Sequence, residues 1–211
     1  MIVAIDGPAG AGKSTVARAL AGRLGFRYLD TGAMYRALTW LALDRGVSLE
    51  DGSALGAIAD ESGVDFDDAG RVFIAGHDVT SEIRDARVDK VVSTVAAHPE
   101  VRAVMRDRQQ QLAALGNGVI EGRDIGTVVA PGAEVKIYLV ADESVRANRR
   151  QAERPGIGAD ALATDLKLRD EADSARMQAA SDAIEIDTTS LTIDDVLDRI
   201  EALVHARVGH A

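Results

Sequence analysis

The most constraining feature of this 211-residue sequence is a glycine-rich segment between an apolar run and a helical pattern. Residues Gly7 to Ser14 match the phosphate-binding pattern G-x-x-x-x-G-K-[ST]. The β-branched residues within Met1 to Ile5 predict a buried strand directly before it. A helix is predicted from about Lys13 to Leu24, where Gly25 ends it. Because this order of strand, loop and helix is the context that the motif requires, the chain is predicted to bind a nucleoside triphosphate.

Each kind of residue in the loop has a predicted role in binding the triphosphate. Glycines let backbone N–H groups face the phosphates, and the helix adds the positive end of its dipole. Lys13 would reach the β and γ phosphates, and Ser14 would offer its hydroxyl to the Mg²⁺ that accompanies ATP. The predicted ATP-binding residues are Gly7, Pro8, Ala9, Gly10, Ala11, Gly12, Lys13, Ser14 and Thr15.

Beyond the loop, strands alternate with helices, which predicts a mainly parallel sheet covered on both faces, with ligands outside the strand C-termini. Further strands are predicted at Phe26 to Leu29, Val119 to Glu121, Val135 to Val140 and Ile184 to Ile186. Asp142 is predicted to cap an arginine-rich helix that runs to about Glu153, and Thr192 starts a closing helix.

One segment breaks this alternation. Residues 47–99 contain short β-prone pieces, at 63–66 and 71–75, around turn residues at 67–70 and 76–78, with polar helices on either side. We therefore predict an inserted small domain at 47–99, and a core domain formed by residues 1–46 and 100–211.

Composition limits the partners. Apolar residues make up 46% and charged residues 27%, as in soluble globular proteins, while the formal charge of −10 disfavours nucleic acid polymers and anionic membranes. Without an apolar leader or a span of about 20 apolar residues, the chain is expected to be cytoplasmic. It has no cysteine, and its histidines show no ligand spacing, so no metal is expected besides the Mg²⁺ of ATP. The histidines are His77, His98, His205 and His210.

The phosphate loop alone leaves kinases, motors and switches open. A GTPase is disfavoured because no Asn-Lys-x-Asp segment occurs. An ATPase module is harder to dismiss, because the apolar run before Asp142 and Glu143 resembles a Walker B strand, although a strand followed by a capped helix explains it as well.

The arginines favour a kinase. The chain has only four lysines, yet Arg146, Arg149 and Arg150 fall at helical spacing on one face. Like charges so placed repel each other unless an anion offsets them, and polyphosphate is a natural candidate.

Two long motifs carry a family resemblance: Tyr28 to Arg36, which is YLDTGAMYR, and Gly122 to Thr127, which is GRDIGT. The chain resembles bacterial cytidylate kinases over nearly its whole length. The resemblance implies an α/β P-loop NTPase three-layer fold with a five-stranded parallel core sheet, an inserted domain that binds the nucleoside monophosphate (NMP), and a short lid at about 142–158. It also implies direct in-line transfer of a phosphoryl group from ATP to cytidine monophosphate (CMP) and its deoxy form dCMP.

The resemblance assigns acceptor residues as well. In that family, the residues that match Arg36, Arg123 and Arg176 hold the phosphate of the acceptor. The hydroxyl of Thr31 can also bond this phosphate. Those matching Ser93, Arg102 and Asp124 recognise cytosine, and Arg169 and Asp173 lie near the ribose. The predicted catalytic residues are Lys13, Arg123, Arg149, Arg150 and Arg176.

Some choices stay open at this point. Asp30 is either an outer ligand of Mg²⁺ or a strand-end cap. Another acceptor, such as UMP or a shikimate-like metabolite, and a non-kinase ATPase module are the alternatives. We expect a monomer that binds nucleotides.

Overall fold

The computed structural model describes residues 1–67, 69–154 and 156–208. The strands are β1 (Ile2–Asp6), β2 (Arg27–Asp30), β3 (Val64–Phe66), β4 (Val72–Ile74), β5 (His77–Asp78), β6 (Gly118–Glu121), β7 (Val135–Val140) and β8 (Ile184–Asp187). The α-helices are α1 (Lys13–Leu24), α2 (Thr31–Asp44), α3 (Gly52–Ser62), α4 (Ala86–Ala97), α5 (Pro99–Ala113), α6 (Glu143–Glu153), α7 (Ala159–Asp173) and α8 (Ile193–Val208). Shorter turns are 3₁₀-helical at Glu82–Arg84 and Ser174–Arg176 and π-helical at Ile125–Val129.

A five-stranded sheet in the order β2-β6-β1-β7-β8 forms the centre of the fold, as predicted. Strand β1 pairs in parallel with β6 and with β7, and β7 pairs in parallel with β8. Val3, Ala4 and Ile5 of β1 are fully buried, which explains their unbroken apolar run. Since parallel strands end at the same edge, the loops after β1, β6 and β7 lie together there.

Helix ends follow the sequence signals closely. The predicted bounds of α1 are confirmed, and Gly25 at its C-terminus has a φ of 65°, in the left-handed region that glycine adopts without strain. At the start of α8, the Thr192 backbone N–H donates to Asp195 and the Asp195 N–H donates back to the Thr192 hydroxyl, at 2.9 and 3.2 Å. This reciprocal capping confirms Thr192 as the start of the closing helix.

The chain forms two compact units. One consists of Met1–Leu29 with the described residues from Leu115 onward, and the other of Asp30–Ala114. The predicted insertion at 47–99 lies within the second unit, which is wider because α2 packs against α4 and α5 packs against α3. The division at 47 and 99 as the limits of a monophosphate-binding domain stays a prediction.

The second unit contains the predicted small sheet, which is antiparallel in the order β3-β4-β5. The turn expected at 67–70 includes residue 68, which lies outside the described residues. The predicted lid at 142–158 likewise includes the undescribed residue 155. In the part of the chain that the structure describes, each helix is too short or too polar to cross a membrane.

Candidate active site

The loop after β1 curls because glycines occupy its tight positions. Gly7 has a φ of 145°, and a Cβ there would lie 2.2 Å from the Leu139 carbonyl oxygen of β7. Gly10 and Gly12 also have positive φ angles, and a Cβ on Gly10 would lie 3.0 Å from the Arg146 Cβ. Both the close approach of β7 and the reversed backbone therefore require glycine in this loop.

Lys13 is the cation of the loop. Its half-buried ammonium donates a hydrogen bond to the Pro8 carbonyl at 2.7 Å. Burial, together with the nearby Arg123 guanidinium, lowers the pKa of Lys13 to about 7. An anion at this position would stabilise the charged ammonium, which is what the predicted phosphate contact requires.

Ser14 is held by a buried carboxylate at the end of β6. Its hydroxyl donates to Glu121 Oε2 at 3.0 Å, and the Tyr28 hydroxyl donates to the other oxygen of Glu121. Glu121 is only 3% exposed. A hydroxyl and a carboxylate are hard oxygen donors, so the pair fits the Mg²⁺ that ATP carries as a substrate. This role of Glu121 could not be predicted, because an acidic residue that ends a strand gives no signal of its partner.

Asp142 is the N-cap residue of α6, as predicted, but the expected side-chain hydrogen bond to the helix is wrong. The side chain is exposed, and the Asp142 backbone N–H donates instead to the Thr189 hydroxyl at 2.9 Å. The position of the helix start therefore comes from the loop after β8 and not from the Asp142 carboxylate.

Two of the three arginines on α6 are compensated by carboxylates. Arg146 is buried and donates to Asp170 Oδ2 at 2.5 Å and to the Ala9 carbonyl at 3.1 Å. Arg150 donates to Glu153 Oε2 at 2.9 Å. Protein carboxylates therefore already offset part of the repulsion on this face, and polyphosphate binding by these arginines stays a prediction.

Arg149 differs from its neighbours. Its guanidinium donates to the Thr188 hydroxyl at 3.0 Å and to the Thr188 carbonyl at 2.8 Å. A Cβ placed on Gly12 would lie 3.8 Å from Arg149 Nη1, so the guanidinium lies beside the phosphate loop. Within the described residues, Arg149 has no carboxylate partner. Its positive charge is therefore available to an anion in the loop.

One carboxylate joins the two predicted phosphate-binding arginines of this unit. Asp173 accepts from Arg123 Nε at 3.1 Å and from Arg176 Nη2 at 2.5 Å. Arg123 Nη1 also donates to the Gly7 carbonyl at 2.6 Å, which ties it to the phosphate loop. Arg176 Nη1 is buried without a hydrogen-bond partner among the described residues. The structure thus brings Arg123, Asp173 and Arg176 together, as the sequence could not show.

Asp124 and Arg169 complete the predicted set of this unit. Asp124 directly precedes the π-helical turn and is partly buried, and Arg169 lies on α7 with 9% exposure. The turn itself is anchored by Asp6, whose carboxylate accepts from the Ile125 and Gly126 N–H groups, both at 2.8 Å. Burial raises the pKa of Asp6, and the two backbone bonds oppose that shift. No pattern in the sequence indicates this role of Asp6.

The second unit places its own predicted residues on helices. Arg36 of α2 donates to Asp89 Oδ1 from Nε at 3.2 Å and from Nη2 at 2.8 Å, and Asp89 is 3% exposed. Ser93 lies one turn after Asp89 on α4, so the two side chains share a helix face. The remaining predicted residues are the buried Thr31 at the start of α2 and the partly buried Arg102 on α5.

Asp30 caps α2, because its carboxylate accepts from the Ala33 backbone N–H at 2.8 Å. The structure thus supports the cap interpretation of this residue. Across 1–67, 69–154 and 156–208, no group of three or more His, Cys, Asp and Glu side chains is arranged to hold a metal ion. His210 lies outside the described residues.

A parallel sheet with a glycine-rich phosphate loop after its central strand, Lys13 and Ser14 at the start of the following helix, and arginines around them define a P-loop kinase. The cytidylate kinase family model matches residues 3–206. The chain belongs to the cytidylate kinase family.

Curated relatives agree with this family membership, and a solved structure shares the fold. A cytidylate kinase of Geobacillus sp. (strain WCH70) is 48% identical over 218 residues, which cover 98% of this chain and 97% of the relative. A cytidylate kinase of Bacillus licheniformis is also 48% identical, over 97% of this chain and 96% of its own. The solved shikimate kinase of Bacteroides thetaiotaomicron has a TM-score of 0.50 and 15% identity over 97% of this chain and 98% of that one. That likeness shows a shared fold alone, and the resemblance and fold class predicted from the sequence are confirmed.

Proposed function

We propose that this chain transfers the γ-phosphoryl group of ATP to CMP, and also to dCMP, by direct in-line attack of the acceptor's phosphate oxygen. The single observation that carries the proposal is the hydrogen bond from Arg123 to the Gly7 carbonyl, because it joins a predicted acceptor-phosphate arginine to the loop that binds ATP. Membership of the cytidylate kinase family supports the choice of acceptor. No covalent enzyme intermediate is needed, since positioning and charge stabilisation supply the catalysis.

The donor side uses Gly7 to Thr15. Backbone N–H groups of the curled loop bind the phosphates of MgATP. The Lys13 ammonium contacts the γ-phosphoryl group and keeps this contact in the transition state. Ser14, held by Glu121, provides the hydroxyl for Mg²⁺. Arg149 and Arg150 on α6 then neutralise charge that develops on the transferring group, and the lid at about 142–158 keeps water from replacing the acceptor.

The acceptor's phosphate is proposed to bind arginines. Arg123 and Arg176 present guanidinium groups that Asp173 orients. Arg176 Nη1, which has no hydrogen-bond partner in the described part of the chain, is one donor suited to a phosphate oxygen. In the other unit, Arg36 is oriented by Asp89, and the Thr31 hydroxyl adds a further bond.

Cytosine is proposed to be selected by matching donors with acceptors. Its exocyclic amine donates, and its N3 and O2 accept. An ionised Asp124 only accepts and Arg102 only donates, so both suit cytosine, whereas uracil offers an acceptor and a ring N–H in place of the amine and N3. Ser93 adds a hydroxyl for the base, and Arg169 and Asp173 are proposed to contact the ribose.

The alternatives from the sequence are less well supported. The shikimate kinase likeness stops at the fold, and the family does not favour UMP, a small metabolite or an ATPase module. We further propose that the protein is a cytoplasmic monomer whose partners are the nucleotides ATP, CMP and dCMP. Binding to a nucleic acid polymer or to a membrane is not proposed, because the formal charge of −10 disfavours both.

A coupled assay of ADP release tests the proposal. The purified protein is given MgATP with CMP, dCMP, UMP, AMP, GMP or shikimate in turn, and with no acceptor. We expect release that depends on CMP or dCMP and is weaker with UMP. Release that is the same without any acceptor would show an ATPase, and a preference for another acceptor would contradict the assignment of CMP.

A further inference from the structure

Asp6 ends the central strand, and its carboxylate accepts two hydrogen bonds that the proposed chemistry does not use. The N–H groups of Ile125 and Gly126, each 2.8 Å away, belong to the π-helical turn that directly follows Asp124. Asp6 is 3% exposed, so its oxygens depend on these donors in place of water. Because a buried carboxylate is costly without hydrogen bonds, the pair of bonds sets the position of the turn.

The residues on either side of Asp6 hold the same segment. The Ile5 carbonyl accepts from the Gly122 N–H at 3.0 Å, and the Gly7 carbonyl accepts from Arg123 Nη1 at 2.6 Å. The end of β1 therefore bonds the GRDIGT segment before, within and after the two residues proposed to bind the acceptor. Ile5, Asp6 and Gly7, which make these bonds, also lead directly into the phosphate loop.

We propose that Asp6 is a positioning residue for acceptor binding: it holds Arg123 and Asp124 at a set place relative to the phosphate loop. The inference rests on the proposed function, because the acceptor roles of Arg123 and Asp124 belong to it. Asp6 itself touches neither nucleotide and acts through the turn.

Gly126 shows how closely the turn fits its support. A Cβ there would lie 3.5 Å from Asp6 Oδ2 and 3.2 Å from Lys136 Cδ. Any movement of the turn toward β1 or β7 therefore meets side chains, and movement away from β1 breaks the bonds to Asp6. The Asp6 carboxylate therefore fixes the turn against the end of β1.

The test compares Asp6→Asn with a matched destabilised variant. Asparagine keeps the size of the side chain but replaces one acceptor oxygen with an NH₂ group, which faces a backbone N–H that it cannot bond. Ile200→Val removes one methylene from a fully buried residue of α8 in the same unit and leaves the turn untouched. Both variants are measured with CMP, UMP and ATP as varied substrates, and their thermal unfolding is compared.

We expect Asp6→Asn to lower kcat/KM for CMP about tenfold, chiefly through KM, which is the size of effect that one lost hydrogen bond to a charged group gives. The ratio of CMP to UMP efficiency narrows, and the KM for ATP changes much less. Ile200→Val lowers the Tm but leaves both the ratio and the KM for CMP at parental values. An Asp6→Asn enzyme with parental CMP KM and ratio, and a lower Tm alone, would overturn the proposal.

Amide hydrogen exchange gives a readout that does not depend on activity. The Ile125 and Gly126 amides should exchange slowly in the parent and faster in Asp6→Asn, while the amides of β7 stay protected. If Asp6→Asn does not fold, Gly126→Val disturbs the same contact from the side of the turn, because its Cβ would already lie 3.5 Å from Asp6 Oδ2 and its methyl groups extend further. This variant should give the same loss of CMP affinity, and parental CMP kinetics in it would overturn the proposal. A parent without CMP-dependent ADP release would instead overturn the proposed function, and the exchange data would still report on Asp6.

Discussion

The Asp173 carboxylate and the Arg123 guanidinium form a partly buried ion pair, with Asp173 Oδ2 3.1 Å from Arg123 Nε. The other carboxylate oxygen holds Arg176 at the same time, so one acidic residue orients both arginines. Arg176 Nη1 has no hydrogen-bond partner among the described residues, so this donor can face a phosphate.

Asp173→Asn is therefore expected to weaken the hydrogen bonds that orient Arg123 and Arg176. The amide loses the negative charge, and the protein should lose about 1 to 3 kcal/mol of its free energy of unfolding, toward the lower end because the pair is not fully buried. The KM for CMP should rise more than the KM for ATP. Asp160→Asn at the exposed start of α7 is the control. Equal changes in both KM values would contradict a role on the acceptor side.

Lys13→Ala should leave the fold intact and lower kcat severely. The lost contact acts on the transferring phosphoryl group, and such contacts are worth roughly 10² to 10⁵ in rate. Circular dichroism should barely change. Gly22→Ala on the exposed face of the same helix, where a Cβ meets no atom within 4 Å, is the control with parental kinetics. Activity of Lys13→Ala within about threefold of the parent would refute the assignment of Lys13.

Replacing both Arg149 and Arg150 with alanine should reduce kcat more than it reduces affinity for CMP. Both are proposed to act on charge that grows in the transition state, and a lost donor of that kind costs about 10²- to 10³-fold in kcat. Arg146→Ala provides the contrast, because Arg146 is buried against Asp170 and the Ala9 carbonyl. Its loss should mainly lower the Tm. If the double variant changes the Tm and leaves kcat at the parental value, the two arginines contribute to stability and have no catalytic role.

Asp124→Asn should narrow the CMP to UMP ratio in kcat/KM, mainly by weakening CMP. An amide both donates and accepts, so it no longer rejects the carbonyl of uracil. An unpaired buried group costs about 1 to 3 kcal/mol, which sets the size of the discrimination at stake. The measurement is kcat/KM for both substrates on parent and variant. An unchanged ratio, even with lower activity, would show that Asp124 does not recognise the base.

Acid should remove a contribution to stability from the start of α8. Hydrogen bonds from the Thr192 hydroxyl and N–H lower the pKa of Asp195 below its usual 3.8. The contribution is therefore complete above that value and is lost as pH falls through the lowered pKa. Asp195→Asn should be less stable than the parent at neutral pH, and the difference in Tm should narrow in acid. A difference that stays constant down to the acid transition would contradict this.

Much of the architecture follows from local signals. The bounds of α1 are predictable because the motif places its start and Gly25 its end. The sheet is predictable because β1 and β7 are apolar runs of strand length. The π-helical turn at Ile125–Val129 has no such signal, since its shape depends on the bonds to Asp6.

The site is less predictable than the fold, because its support comes from distant partners. Asp6 and Ile125 are 119 residues apart, and Ser14 and Glu121 are 107 apart. Arg146 illustrates the same limit: its charge and spacing match those of Arg149, but only the position of Asp170 shows that the structure already uses it. Helical spacing places side chains on a face and does not show what lies opposite.

The anchoring of Arg146 also bears on how the arginine-bearing helix could move. The first turn of α6 is joined to the phosphate loop through the Ala9 carbonyl and through the close approach of the Arg146 Cβ to Gly10. If residues 142–158 act as the proposed lid, a swing that began at Asp142 would pull the phosphate loop apart, so we expect the hinge to lie after Arg146. The helix would then carry Arg149 and Arg150 on its moving part, and the loop would keep its shape through every opening and closing.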